Sequence, residues 1–237
     1  MQLLLLSNST NAGEDYLEYP KQHIADFLLP NGVSSAVFIP FAAVTYSYDA
    51  YEAKVQQRFA EFNVTVTSIH HSADPVATIE NAQAIVIGGG NTFHLLKNMQ
   101  DKKLIDPIRK KVLGGTPYIG WSAGSNVVTP TICTTNDMPI VEPQSFQALN
   151  LVPFQINPHY LDSHPDGHAG ETREQRLMEY IAANPDKYVA GLREGCMFLI
   201  KDDHILVKGN KSVRIFRQGQ PATEIAPDGD FSFLLKK

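Results

Sequence analysis

Short runs of apolar residues recur through the first half of the chain, at residues 3–6, 36–40, 64–69, 84–87 and 118–119. Between them lie stretches whose apolar residues fall at helical spacing: one ending near residue 29, then residues 51–62, 75–81, 92–99 and 103–113. Runs that are apolar throughout, rather than at alternate positions, predict strands buried on both faces. Their alternation with helices predicts a parallel sheet. Right-handed crossovers make that a three-layer, doubly wound α/β fold, in which ligands sit at the carboxyl ends of the strands. Pro40-Phe41-Ala42, Gly88-Gly89-Gly90-Asn91 and Trp121-Ser122-Ala123 all fall at such ends.

Beyond residue 126 the pattern changes. Pro130, Pro139, Pro143 and Pro153 break the chain into loops, and a helix is predicted over residues 171–183. The runs at 188–192, 196–200, 205–207, 213–216 and 231–235 read as antiparallel hairpins closing the edge of the sheet. No repeat, linker or low-complexity segment intervenes, so residues 1–237 read as one domain.

Composition narrows the function. A net charge of −5 offers no basic face for nucleic acid or an anionic membrane. The opening Met1-Gln2 and four leucines lack a basic leader and pass at once into polar residues, so they read as a first strand rather than a signal peptide. No run approaches the ~18 apolar residues of a membrane span. Cys133 and Cys196 match no metal or redox spacing. A cytoplasmic globular protein is expected.

The candidate chemistry centres on Gly120-Trp121-Ser122-Ala123-Gly124, a G-x-S-x-G at the end of a strand. This is the pattern of a nucleophile elbow, a tight strand-to-helix turn that lifts a serine hydroxyl above the sheet. The competing reading is an ordinary helix N-cap serine. The Ala123 N–H would face a developing oxyanion, and the loop containing Gly89 and Gly90, which opens a helix but lacks either nucleotide-binding motif, would supply a second donor. A serine needs a base. His159, held between Pro158 and Tyr160 after an apolar stretch, is the candidate. His70 and His71 follow the third strand at the rim, whereas His23, His94 and His204 read as surface residues. Asp137 or Glu194 could orient the imidazole. A metal site built on His159, His164 and His168, with Asp162 and Asp166, is the alternative use of these histidines.

These residues sit in blocks that resemble the peptidase E, or α-aspartyl dipeptidase, family: LLLLSNST, AVFIPFA, GGGNTFHLLK, YIGWSAGSN, TTNDMPIVEP, QINPHY and GHAGETREQR. The likeness runs nearly end to end and fades after about residue 209. It implies a serine peptidase on a glutamine-amidotransferase-like α/β fold, acting on dipeptides with an amino-terminal aspartate and needing no cofactor. Ser122 would be the nucleophile, His159 the base, and Asp137 or Glu194 the third member. Gly89, Gly90 and Ala123 would line the oxyanion hole, and Arg173 would clamp the substrate carboxylate with paired hydrogen bonds. The implied partner is a small acidic dipeptide, with neither nucleic acid nor membrane. A related hydrolase of isoaspartyl or cyanophycin-like amides, and a non-catalytic binding protein, are the competing readings. Arg193 departs from the small or cyclic residue expected before Glu194. The long, proline-bounded stretch at 134–147 is a candidate lid.

Overall fold

The computed structural model describes residues 1–162 and 170–236. Five parallel strands, β1 (Gln2–Leu6), β2 (Ser35–Ile39), β3 (Thr65–Ser68), β4 (Ile85–Ile87) and β5 (Tyr118–Trp121), alternate with helices. These are α1 (Lys21–Leu28), α2 (Tyr48–Ala60), α3 (Pro75–Glu80), α4 (Thr92–Asp101) and α5 (Ile105–Leu113). Each strand feeds one side chain to one face and the next to the other. Leu3, Leu5, Ile85 and Ile87 meet Leu95, Met99, Ile108 and Val112 from the α4–α5 side. Leu4, Leu6, Phe38 and Val86 meet Ile24, Phe27, Val55 and Phe59 from the α1–α2 side. Both faces of the central strands β1, β4 and β5 are dry, while the edge strand β3 alternates buried Val66 and Ser68 with exposed Thr65 and Thr67, so the doubly wound architecture follows from apolarity on both faces of the central strands.

The chain then forms the short helix α6 (Ala123–Asn126), β6 (Gln155–Tyr160), α7 (Arg173–Ala183), β7 (Val189–Arg193), β8 (Met197–Lys201), β9 (His204–Lys208), β10 (Val213–Phe216) and β11 (Thr223–Ile225). The large sheet has the order β3-β2-β4-β5-β1-β8-β9. Only β8 and β9 extend its edge as the expected hairpin, with β8 antiparallel to β1. The runs at 188–192 and 213–216 instead enter a separate four-stranded sheet, β11-β10-β7-β6. The run at 231–235 is a 3₁₀ turn (Ser232–Leu235) that buries Phe231 and Leu234.

Strand β6 was hidden in the sequence by Pro158, which cannot donate to a ladder. It is an edge strand, where that defect is tolerated. It runs parallel to β7 with a register shift between Pro158 and Tyr160. One face of this second sheet joins the main core through Ile156, Ala190, Leu192 and Ile215. The other packs Tyr160, Val189 and Phe216 against Leu177 and Ile181 of α7. That helix begins in a full capping box between Thr172 and Gln175.

Candidate active site

Ser122 follows the last residue of β5 at φ +53°, ψ −113°, a conformation that costs a non-glycine residue on the order of 1–3 kcal/mol. The surrounding bonds hold it there. Ser122 N–H donates to Leu6 O (3.1 Å), and the Ser122 carbonyl accepts from the N–H groups of Ser125 and Asn126 (2.9 Å each). Ser125 Oγ donates to Leu6 O (2.6 Å), and Tyr118 Oη to Gly124 O (2.6 Å). A Cβ on Gly124 would collide with the Ile87 carbonyl, so only glycine lets the elbow lie against β4. Ser122 occupies the N-cap position of α6, yet its hydroxyl caps nothing. It lies 2.9 Å from His159 Nε2.

His159 sits at the β6 irregularity, also at positive φ (+53°), which breaks the strand's alternation and re-aims the ring. Its N–H donates to Ser7 Oγ (2.8 Å), and Ser7 Oγ donates to Leu192 O (2.8 Å). Ser7, just past β1, thereby latches the second sheet to the first. On the other side of the ring, Nδ1 lies 2.6 Å from Glu194 Oε1. A carboxylate at Nδ1 makes that nitrogen the donor and leaves Nε2 to accept the serine proton. Glu194 follows β7 directly, in a turn where Gly195 N–H donates to Asn8 Oδ1 (2.9 Å) and Lys211 Nζ donates to the Glu194 carbonyl (2.9 Å).

Asp137 is placed elsewhere. One of its oxygens accepts from the N–H and hydroxyl of Thr92 (2.7 and 2.6 Å) and from Thr135 Oγ (3.1 Å), which anchors it to the start of α4. Its loop is tied down on both sides. Asn91 Nδ2 donates to Met138 O, Asn136 Nδ2 to Pro158 O, and Thr131 pairs with Gln147. Arg173 opens α7, and its half-buried guanidinium lies within electrostatic reach of Tyr160 and Asp137. Burial lowers its pKa from the usual arginine value. Arg193 turns away from Glu194. It grips both oxygens of Asp162 (2.7 and 2.6 Å) and both of Glu224 (2.8 and 2.9 Å). His164, Asp166 and His168, the other members of the metal alternative, lie outside the described residues. His94 is not a free surface residue, because its Nδ1 bonds Phe41 O at 2.6 Å.

A cavity of about 320 Å³ opens on Ser122 and His159. Gly89 and Gly90 form part of its wall, and a Cβ on Gly89 would stand 2.9 Å from the Ser122 Cβ. Among the described residues, the N–H groups of Gly89, Gly90 and Ala123 make no hydrogen bond. Tyr51 Oη accepts from Trp121 Nε1 (3.0 Å) and donates to Gly89 O (3.0 Å). Carbonyl and N–H of a trans peptide point in opposite directions, so fixing Gly89 O also fixes the Gly90 N–H. Sequence reasoning missed Ser9, Tyr16, Tyr46, Tyr51 and Lys54 in this wall. The available signal was the cluster of tyrosines just after the Pro40-Phe41-Ala42 rim. Neither Arg173 nor Asp137 is in the wall. A larger cavity of about 650 Å³, beside Arg109 and Gln147, contains none of the candidate site residues.

The chain matches the family model for peptidase family S51 over residues 3–208. It is similar to Peptidase E of Nostoc sp. strain PCC 7120, at 53% identity over 236 residues covering 100% of this chain and 97% of the relative. It is similar also to Peptidase E of Escherichia coli strain 536, at 49% identity over 225 residues covering 95% and 97%. Among solved structures, a peptidase from an acI-B1 Actinobacterium aligns with a TM-score of 0.71 over 98% of this chain and 96% of that one. Its sequence identity is 18%, so that likeness concerns the fold alone.

Proposed function

Since the chain belongs to peptidase family S51 and is a serine-type peptidase, we propose that it is a dipeptidase that releases an amino-terminal aspartate, with Ser122 as nucleophile, His159 as base and Glu194 as the group orienting the base. The observation that carries this reading is the continuous relay of Ser122 Oγ, His159 Nε2, His159 Nδ1 and Glu194 Oε1, with contacts of 2.9 and 2.6 Å. His159 takes the serine proton as Ser122 Oγ attacks the aspartyl carbonyl. The oxyanion is received by the N–H groups of Ala123 and the Gly89–Gly90 turn, each such donor contributing on the order of 3 kcal/mol to the barrier reduction. His159 then protonates the leaving amine, and water hydrolyses the aspartyl-enzyme. No metal or organic cofactor takes part in these steps.

An Asp-Xaa dipeptide carries two carboxylates, so it calls for two cations. Lys54, in the cavity wall, is assigned to the carboxyl-terminal carboxylate, and Arg173, which lies outside that wall, is assigned to the aspartyl side chain on the family resemblance of its sequence block alone. Among the described residues, no helix is long and apolar enough to cross a membrane. We place the protein in the cytoplasm, a reading that its two unpaired cysteines support.

The test is hydrolysis of Asp-Leu beside Ala-Leu and β-Asp-Leu by the wild type and by Ser122→Ala. Cleavage confined to Asp-Leu, and reduced on the order of 10⁴-fold or more in the variant, is the expected result. Cleavage of β-Asp-Leu in its place would move the assignment to isoaspartyl peptides.

A further inference from the structure

Outside the peptidase site, one group of side chains has the composition of a metal centre. Asp49 and Glu52 stand one turn apart on the first turns of α2, and His70 and His71 follow β3. One ligand atom from each lies within 4.8 Å of all the others. His70 Nε2 is 2.9 Å from Asp49 Oδ1. His71 Nε2 is 2.7 Å from Glu52 Oε2 and 3.4 Å from Asp49 Oδ1. Tetrahedral zinc with bonds of about 2.0–2.1 Å puts its ligand atoms roughly 3.3 Å apart, so these three separations need to change by at most about 0.6 Å, and the remaining ones, all within 4.8 Å, by at most about 1.5 Å.

Two further observations set this group apart from a solvated charge cluster. The Glu52 side chain is 9% exposed, and among the described residues no lysine or arginine forms an ion pair with it or with Asp49. A buried charge is ordinarily paired, and among the described residues the only ionisable group bonded to Glu52 is the His71 imidazole. The ligands are also held from behind. Ser68 Oγ lies 2.6 Å from His70 Nδ1, which leaves Nε2 facing the centre. Glu52 Oε1 accepts from Ser68 N–H (2.7 Å) and Gln56 Nε2 (3.2 Å), which leaves Oε2 free to bind. Such outer contacts orient first ligands in metal sites.

We propose that Asp49, Glu52, His70 and His71 bind one divalent transition-metal ion, zinc being the best fit to two imidazoles and two carboxylates. Magnesium and calcium prefer all-oxygen sites. The ion joins α2 to the turn after β3. Tyr51, between the two carboxylates on α2, and Lys54, just beyond them, line the substrate cavity, so the ion has a structural role in holding that wall rather than a part in the peptidase chemistry.

The experiment is equilibrium dialysis of the metal-free full chain against zinc chloride and, separately, magnesium chloride, with thermal melting alongside. One zinc per chain at micromolar concentration, with a raised melting temperature and no comparable magnesium binding, is expected. Asp49→Asn, an exposed change that spares the fold, and His70→Ala should each weaken zinc binding at least tenfold, whereas His159→Ala retains it. Zinc binding that persists in Asp49→Asn and His70→Ala, or that disappears in His159→Ala, overturns the proposal. So does failure of the wild type to take up zinc, or equal binding of magnesium.

Discussion

Lys54 brings an ammonium to the wall of the cavity that holds Ser122 and His159, and Tyr16 has a hydroxyl that is buried and, among the described residues, without a hydrogen-bond partner. An unmet buried hydroxyl costs about 1–3 kcal/mol, whereas an ammonium on the wall can meet a substrate carboxylate. Lys54→Met should therefore raise KM for Asp-Leu tenfold or more while lowering kcat much less. An unchanged KM would remove Lys54 from recognition. Tyr16→Phe should leave the melting temperature equal or higher, because it deletes the orphan group. Ser122 and His159 were legible in the sequence because their neighbours advertise strained turns, glycines around one and a proline before the other. The choice between Asp137 and Glu194 was not legible. Each is an acid in a loop, and which loop reaches the histidine depends on the pairing of β6 with β7, which no local pattern encodes.

At the scale of elements, the elbow depends on how closely β5, α6 and β4 approach. Gly124→Ala places a methyl group against the Ile87 carbonyl. The backbone must then shift, at a cost of about 1–3 kcal/mol. The expected outcome is a lower melting temperature together with a kcat reduced more than KM is raised, read by calorimetry and steady-state kinetics. A variant with wild-type kcat would show that Ser122 does not need this tight turn. The central parallel strands were readable because they are apolar on both faces, and the edge strand β3 by its alternation of Val66 with exposed Thr65 and Thr67. The second sheet was not, because β7 and β10 have the same short apolar patterns as an edge hairpin, and periodicity states that a strand exists without naming its partner. Strand β6 was masked by its proline, and the 3₁₀ turn at Ser232–Leu235 by apolar residues too few to carry a period.

Across the whole molecule, Arg193 ties the ends of β6, β7 and β11 together through Asp162 and Glu224. Its guanidinium, with help from Ser212 and Arg214, draws Glu224 down to about 2 from an ordinary 4.5, and holds Asp162 below its usual value as well. A carboxyl depressed in the folded state adds stability that is fully present above its unfolded pKa and is lost as pH falls through the folded one. Melting temperature should thus decline from pH 4.5 toward 2, and Glu224→Gln should flatten that decline. An identical acid profile in the variant would refute the assignment.

The latch at Ser7 joins two sheets that each carry half of the chemistry: the nucleophile on one, the base and its carboxylate on the other. A copy whose smaller sheet has come away would keep most of its helices, and with them its far-ultraviolet signal, yet would hydrolyse nothing. Turnover is then a gauge of contact between the sheets, sensitive to damage that bulk spectroscopy passes over. The same arrangement denies a half-folded copy any stray peptidase activity.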